Sequence, residues 1–241
     1  MGANQNGIPK SAMVIMAHPD DAEFTVAGTV AKWAQAGCEI TYVLCTSGNA
    51  GTQEPGMTRD QVAAVREEEQ RAACRVLGAK QVVFLGHDDG ILQPTLELRR
   101  ELVRQIRRFK PEAVITGDPT ALFEGDEYIN HPDHRAAAQA AVDAVTPAAA
   151  MPLLWPEDGE PHRVRYVYVS NAHKPNVWVD ITNTIEQKIE ALRQHKSQMG
   201  DWDPAEMIRN WAAETGKEKG LAYAEAFRRM TLEPPPSAES Q

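Results

Sequence analysis

Two short polar clusters in this chain have the residue types and spacing of a metal site. The first, AHPDDAEF (Ala17 to Phe24), sets His18 and Asp21 three residues apart at a helix start, where both side chains reach one point. Pro19 suits the early helical position, because its missing N–H would have had no partner within the helix. The second cluster, NHPDH (Asn130 to His134), ends with His134 in the first turn of another helix. Brought face to face, His18, Asp21 and His134 make a mixed nitrogen and oxygen set that suits Zn2+ with a fourth position left to water. Open coordination of this kind serves catalysis. Two neutral imidazoles and one carboxylate leave the ion net positive charge, which lowers the pKa of a bound water towards roughly 7.

The neighbouring residues fit hydrolysis. Asp20, beside Asp21 but pointing elsewhere on the turn, is placed to take the water's proton as general base. His131 is placed either to stabilise an oxyanion or to protonate a leaving amine. Asp133 is expected to orient His131 through a hydrogen bond. Alone, HPD would equally serve as a helix cap, with Asp20 or Asp21 satisfying free N–H groups. Its pairing with HPDH favours the metal site. His87, His162, His173 and His195 have no partner of comparable spacing and read as surface or hydrogen-bonded residues. Cys45 reads as a small buried residue, since no base accompanies it.

The elements that must position these clusters are alternating strands and helices. Strands are expected at Ser11 to Met16, Glu39 to Cys45, Gln81 to Leu85 and Ala113 to Thr116. Helices are expected over Ala22 to Ala36, Arg59 to Leu77, Leu96 to Phe109 and Asp133 to Val145, the first two stopped by Gly37 and Gly78. Four βα units in series predict one α/β domain, a Rossmann-like parallel sheet flanked by helices. With strand order 3-2-1-4, strands one and four are neighbours at the reversal, and the site lies at their C-terminal ends. Arg165 to Val169 and Val177 to Asp180 read as two further strands of the same sheet. Ile185 to Met199 and Pro204 to Met230 read as mainly helical, within a domain spanning 1–232, with 233–241 as a flexible tail.

Composition narrows the partners. The 25 Lys+Arg stand against 34 Asp+Glu, a net charge of −9, so neither nucleic acid nor an acidic membrane is expected to bind. Three cysteines without a C-x-x-C pairing speak against a disulfide framework and fit a reducing cytoplasm. MGANQNGIPK has no apolar stretch for a signal peptide, and no run has the length of a spanning helix.

AHPDDAEF, TSGNAG (Thr46 to Gly51), R-x-x-E-x-x-x-A-x-x-x-LG (Arg66, Glu69, Ala73, Leu77, Gly78), LG-x-x-DG (Leu85, Gly86, Asp89, Gly90) and HPDH together resemble the LmbE-like, or PIG-L, family of zinc N-deacetylases. The resemblance covers Met13 to Val145, and YAEAF (Tyr223 to Phe227) is similar to the endings of short bacterial members. It implies one zinc per chain on His18, Asp21 and His134, with Asp20 as general base and His131 as the electrophilic or acid partner. It further implies an N-acetylglucosamine-type substrate and a homo-oligomer such as a hexamer. By matching position, it makes Arg66 and Asp89 candidates for contacting sugar hydroxyls. Read only from the residues, Arg66 is equally an i,i+3 partner of Glu69, and Asp89 equally starts a turn with Gly90. The competing function is a noncatalytic sugar- or nucleotide-binding Rossmann-like protein, but a dinucleotide site wants G-x-G-x-x-G where HPDD stands.

Overall fold

Alternating side chains bury both faces of the central strands. In β1 (Ser11–Met16), Ala12, Val14 and Met16 join one apolar cluster, while Met13 and Ile15 join the other. The computed structural model describes residues 7–233, so the expected tail lies outside them apart from Glu233. After β1 come α1 (Asp21–Thr25), α2 (Ala27–Gln35), β2 (Glu39–Thr46), α3 (Arg59–Leu77), β3 (Gln81–His87), α4 (Leu96–Phe109) and β4 (Ala113–Thr116). A small antiparallel pair follows, β5 (Phe123–Glu124) and β6 (Tyr128–Ile129), then α5 (Pro132–Val145). The rest of the described chain is β7 (Tyr166–Ser170), β8 (Val177–Asp180), α6 (Ile185–Leu192), α7 (Lys196–Met199), α8 (Ala205–Lys217) and β9 (Ala224–Thr231).

The sheet runs β3-β2-β1-β4-β7-β9-β8, parallel from β3 to β7, with β9 antiparallel to both β7 and β8. The order 3-2-1-4 and the two later strands stand as expected from sequence. On one face, α2 and α3 bring Val30, Trp33 and Leu77 against Val14, Ile40 and Leu44. On the other, α4 and α5 bring Leu98, Leu102, Ile106 and Ala141 against Ile15 and Val43. Burying such a side chain contributes about 1.5–3 kcal/mol each.

Two sequence expectations are corrected. The helix expected over Ala22 to Ala36 begins at Asp21 and breaks at Val26 (φ −130°). The break aims the first N–H groups of α2 at Glu225, whose carboxylate accepts from Gly28 N at 3.0 Å and Thr29 N at 2.7 Å. Gly28 also lets Ile181 approach, since a Cβ there would lie 2.7 Å from its Cδ1. Ile185 to Met199 is mainly helical as expected, in the two pieces α6 and α7. The helix expected to reach Met230 ends at Lys217, and β9 follows, although AEAFRRMT is made largely of helix formers. Pairing on both edges overrides that local preference.

Candidate active site

The two polar clusters meet where the sheet order reverses, at the carboxyl ends of β1 and β4. The ring centroids of His18, His131 and His134 lie 5.0, 5.1 and 5.3 Å apart, and one nitrogen from each falls within 4.8 Å of the others. Asp21 stands between two of these rings. Its Oδ2 is 3.5 Å from His18 Nδ1 and its Oδ1 is 2.9 Å from His134 Nε2.

The far nitrogen of each ring is held by an acceptor. His18 Nε2 faces Asp89 Oδ1 at 3.0 Å and Asp133 Oδ2 at 3.3 Å, and His134 Nδ1 meets Asn130 Oδ1 at 3.1 Å. An acceptor on one nitrogen puts the proton there and leaves the lone pair of the other free to ligate, as metal-bound histidines require. Those free nitrogens, His18 Nδ1 and His134 Nε2, are the ones turned to Asp21. A second triad, His18, Asp89 and Asp133, also has donor atoms within 4.8 Å. Its carboxylates are already engaged: Asp133 accepts from Gly90 N at 2.7 Å and Leu92 N at 3.1 Å, and Asp89 accepts from Ala50 N at 3.1 Å.

Carboxylates dominate the electrostatics of the site. Burial lowers the pKa of His18, but Asp21, Asp133 and Asp89 outweigh it and raise the value. Burial likewise opposes ionisation of Asp21, yet His134 and His18 hold its carboxyl well below the ordinary range. Three carboxylates around one buried imidazole are a negatively charged pocket, and its donor set fits a divalent ion with mixed nitrogen and oxygen ligation.

Asp20 makes no side-chain cap to α1, which removes the helix-cap reading for Asp20, while Asp21 Oδ2 accepts from His18 N at 2.8 Å. The backbone of Asp20 sits at φ 90°, the left-handed region that non-glycine residues occupy at a cost. Burial pushes its carboxyl up to about 6, with the Arg66 guanidinium pulling the other way. Arg66 is 4% exposed and donates to Gly48 O at 3.0 Å, Pro19 O at 2.8 Å and Asp20 Oδ2 at 3.2 Å. Glu69 does not pair with it, turning instead to Ser197. Asp89 is followed by Gly90 at φ 87°, so the turn reading and the contact with His18 hold together.

Asp133 and His131 do share a hydrogen bond, made by the backbone of Asp133. Its carboxylate points to Gly90, Leu92 and His18, and its backbone N–H, not its side chain, meets His131, donating to Nδ1 at 3.2 Å. With Nδ1 accepting, a neutral His131 carries its proton on Nε2 and presents a donor. Asn130 and Gln70 were not singled out from sequence. Asn130 stands four residues before His134, a spacing that an amide–imidazole contact across a helix start would use. Nothing local marks Gln70, whose Oε1 accepts from Asp20 N at 3.1 Å. Cys38, Cys45 and Cys74 are buried free thiols.

A cavity of about 790 Å3 opens against Asp21 and His134, along the ends of β1, β4 and β7, with Tyr128 and Trp211 among its walls. That volume suits a small conjugate.

Residues 13–145 match the PIG-L family, described as GlcNAc-PI de-N-acetylase. The chain belongs to this family. It is 34% identical to the diacetylchitobiose deacetylase of Thermococcus kodakarensis, over 91% of this chain and 82% of that one. It is 29% identical to a probable N-acetyl-alpha-D-glucosaminyl L-malate deacetylase 2 of Bacillus anthracis, over 78% and 81%. The inhibitor-bound N,N'-diacetylchitobiose deacetylase of Pyrococcus horikoshii superposes with a TM-score of 0.85 at 31% identity, covering 95% of this chain and 88% of that chain. These PIG-L relatives are GlcNAc-type deacetylases, and the central, mostly parallel sheet flanked by helices is shared with the Pyrococcus enzyme. Among the described residues, no helix is long and apolar enough to cross a membrane.

Proposed function

We propose that this PIG-L chain is a metal-dependent amidohydrolase that removes the acetyl group from an N-acetylglucosamine-type conjugate. The observation that carries the reading is the convergence of His18 Nδ1 and His134 Nε2 on the two oxygens of Asp21, with each ring's other nitrogen held by an acceptor. His18, Asp21 and His134 would hold the ion, with zinc the metal their chemistry suits best. Bound there, it would act as a Lewis acid on the amide carbonyl and on water.

The chain's own residues divide the remaining work. Asp20, carried next to Asp21 on the left-handed turn, accepts the proton of the attacking water. Arg66 keeps that carboxylate pointed, through one contact to its oxygen and one to the preceding carbonyl. His131 Nε2 donates to the oxygen that becomes negative as the amide carbon turns tetrahedral. Asp89 and Asp133 fix the ring of His18, and Asn130 fixes that of His134. The proton on Asp20 then serves the departing amine. Asp20 and Asp21, which directly follow β1, speak against a dinucleotide site, where they would face phosphate.

The test is acetate release from N-acetylglucosamine, N,N'-diacetylchitobiose and N-acetylglucosaminyl L-malate, alongside metal content per chain. Deacetylation of at least one, with one divalent ion per chain and loss of turnover on chelation, is expected. Full turnover in metal-free protein, or no acetate from any of the three, would overturn the reading.

A further inference from the structure

The last third of the described chain returns to the site through one short segment, HKSQ, His195 to Gln198, at the start of α7. Three of its side chains reach three different parts of the site. Gln198 Nε2 donates to Gly51 O at 2.9 Å, in the TSGNAG loop that surrounds Arg66. Ser197 donates twice to Glu69, from N to Oε1 and from Oγ to Oε2, each at 2.7 Å, one turn beyond Arg66 on α3. His195 is 0% exposed and brings Nε2 to 3.4 Å from Oε2 of Glu23, equally buried, on α1.

From Glu23 the contacts lead to Asp20. Glu23 Oε1 accepts from Gln70 Nε2 at 3.0 Å, and Gln70 Oε1 accepts from the backbone N–H of Asp20 at 3.1 Å. A carboxylate only accepts, so Glu23 decides which end of the Gln70 amide faces Asp20. Reversed, the amide would set its NH2 against that N–H, two donors with no bond between them. The N–H belongs to a residue at φ 90°, a conformation that persists only where its surroundings over-determine it. Neither ring nitrogen of His195 makes a hydrogen bond among the described residues, so the contact with Glu23 is what the buried ring has in exchange for water.

We propose that His195 is a positioning residue for the general base: through Glu23 and Gln70 it holds the main chain of Asp20 in its left-handed turn. Ser197 and Gln198 keep α3 and the TSGNAG loop in register with it. The segment lies outside the 13–145 family match, so the last third of the chain completes a site whose reacting groups all come from the first two. The inference rests on the reading of Asp20 as general base.

His195→Leu, His195→Asn, His195→Gln and Gln70→Leu test it in the metal-loaded full chain. The measurements are Tm, metal content, kcat, KM and the NMR hydrogen-exchange rate of the Asp20 amide. His195→Leu fills the space without a polar contact, His195→Asn is too short to reach Glu23, and His195→Gln keeps a polar nitrogen within reach of it. Leu and Asn at 195 should each lower kcat by about 10- to 100-fold, the cost of a slightly misplaced group. KM should stay within about twofold, since ground-state binding is untouched. The Asp20 amide should exchange at least about tenfold faster. His195→Gln should restore most of both. His195→Leu combined with Gln70→Leu should cost no more than the worse of the two, because both act along one line of contacts. Wild-type kcat and exchange in either the Leu or the Asn variant, or additive losses in the pair, would overturn the proposal. If the unaltered protein deacetylates nothing, Asp20's role as base fails, and the exchange rates still report whether His195 orders its main chain.

Discussion

Arg66 Nη2 holds Asp20 by two contacts, to the carboxylate at 3.2 Å and to the carbonyl that precedes it, Pro19 O, at 2.8 Å. One planar guanidinium thereby sets both the backbone and the side chain of the residue proposed to take a proton from water. A lysine, a point charge on a flexible stem, lacks the second nitrogen that ties the guanidinium to Gly48 O. Arg66→Lys should retain metal and lower kcat by about tenfold or more. Unchanged kcat in a variant of normal metal content would show that Asp20 needs no such support.

The TSGNAG loop makes room for that guanidinium. A Cβ on Gly51 would lie 2.3 Å from Arg66 Nη1, and Gly51, unlike Gly48 at φ 62°, is not in the left-handed region. Gly51→Ala therefore adds no backbone strain but pushes Arg66 off Gly48 O and Asp20. Its kcat should drop by about tenfold with little change in Tm. A large fall in Tm with normal kcat per folded molecule would contradict this.

Asp20→Asn keeps the shape, and asparagine tolerates the left-handed φ of this position. Its amide cannot accept the water's proton. Metal content and Tm should stay near those of the unaltered protein while kcat falls by at least roughly two orders of magnitude. Lost metal would instead make Asp20 a ligand, and unchanged kcat would remove it from the chemistry.

His134 and His131 separate ligand from catalyst. His134→Ala should greatly weaken metal binding, and Asn130→Ala, which frees the His134 ring, should weaken it by about 10- to 100-fold. His131→Ala should keep metal and lose turnover. Dialysis against a competing chelator with metal analysis distinguishes them. Equal loss from His131→Ala and His134→Ala would mean that the set His18, His131 and His134 holds the ion.

Among the residues that line the cavity, Glu225 joins β9 to α2 and to Lys188, whose Nζ lies 2.6 Å from Oε1 with both side chains about 5% exposed or less. Glu225→Ala leaves a buried ammonium and two helix N–H groups unpaired. Unfolding free energy should fall by about 3–5 kcal/mol, measured by denaturant titration. Lys188→Met added to it should recover part of the loss, and no recovery would mean that the capping of α2 carries the whole effect.

Spacing alone pointed to this site. His18 and Asp21, and likewise His131 and His134, are three residues apart, but His18 lies in the turn before α1 and His131 caps α5, so these turns rather than regular helix bring each pair together. Four βα units in series indicate a parallel sheet; the order 3-2-1-4, a condition at the level of sequence, is what the structure adopts, and it brings those ends together. What spacing cannot carry is the direction of a side chain whose partner is distant in sequence. The Asp133 carboxylate faces His18 because Gly90 and Leu92, more than 40 residues earlier, offer it two N–H groups, while its backbone keeps the bond to His131. Arg66 turned inward because Gly48 and Gly51 leave a hole of its shape. Residues 224 to 231 became a strand because β7 and β8 each lacked a partner on one edge. His195, with no motif around it that reads as chemistry, was drawn under α1 by packing. In each case the deciding energy is a long-range contact that exists only after the chain has closed, so only the tertiary structure reveals it.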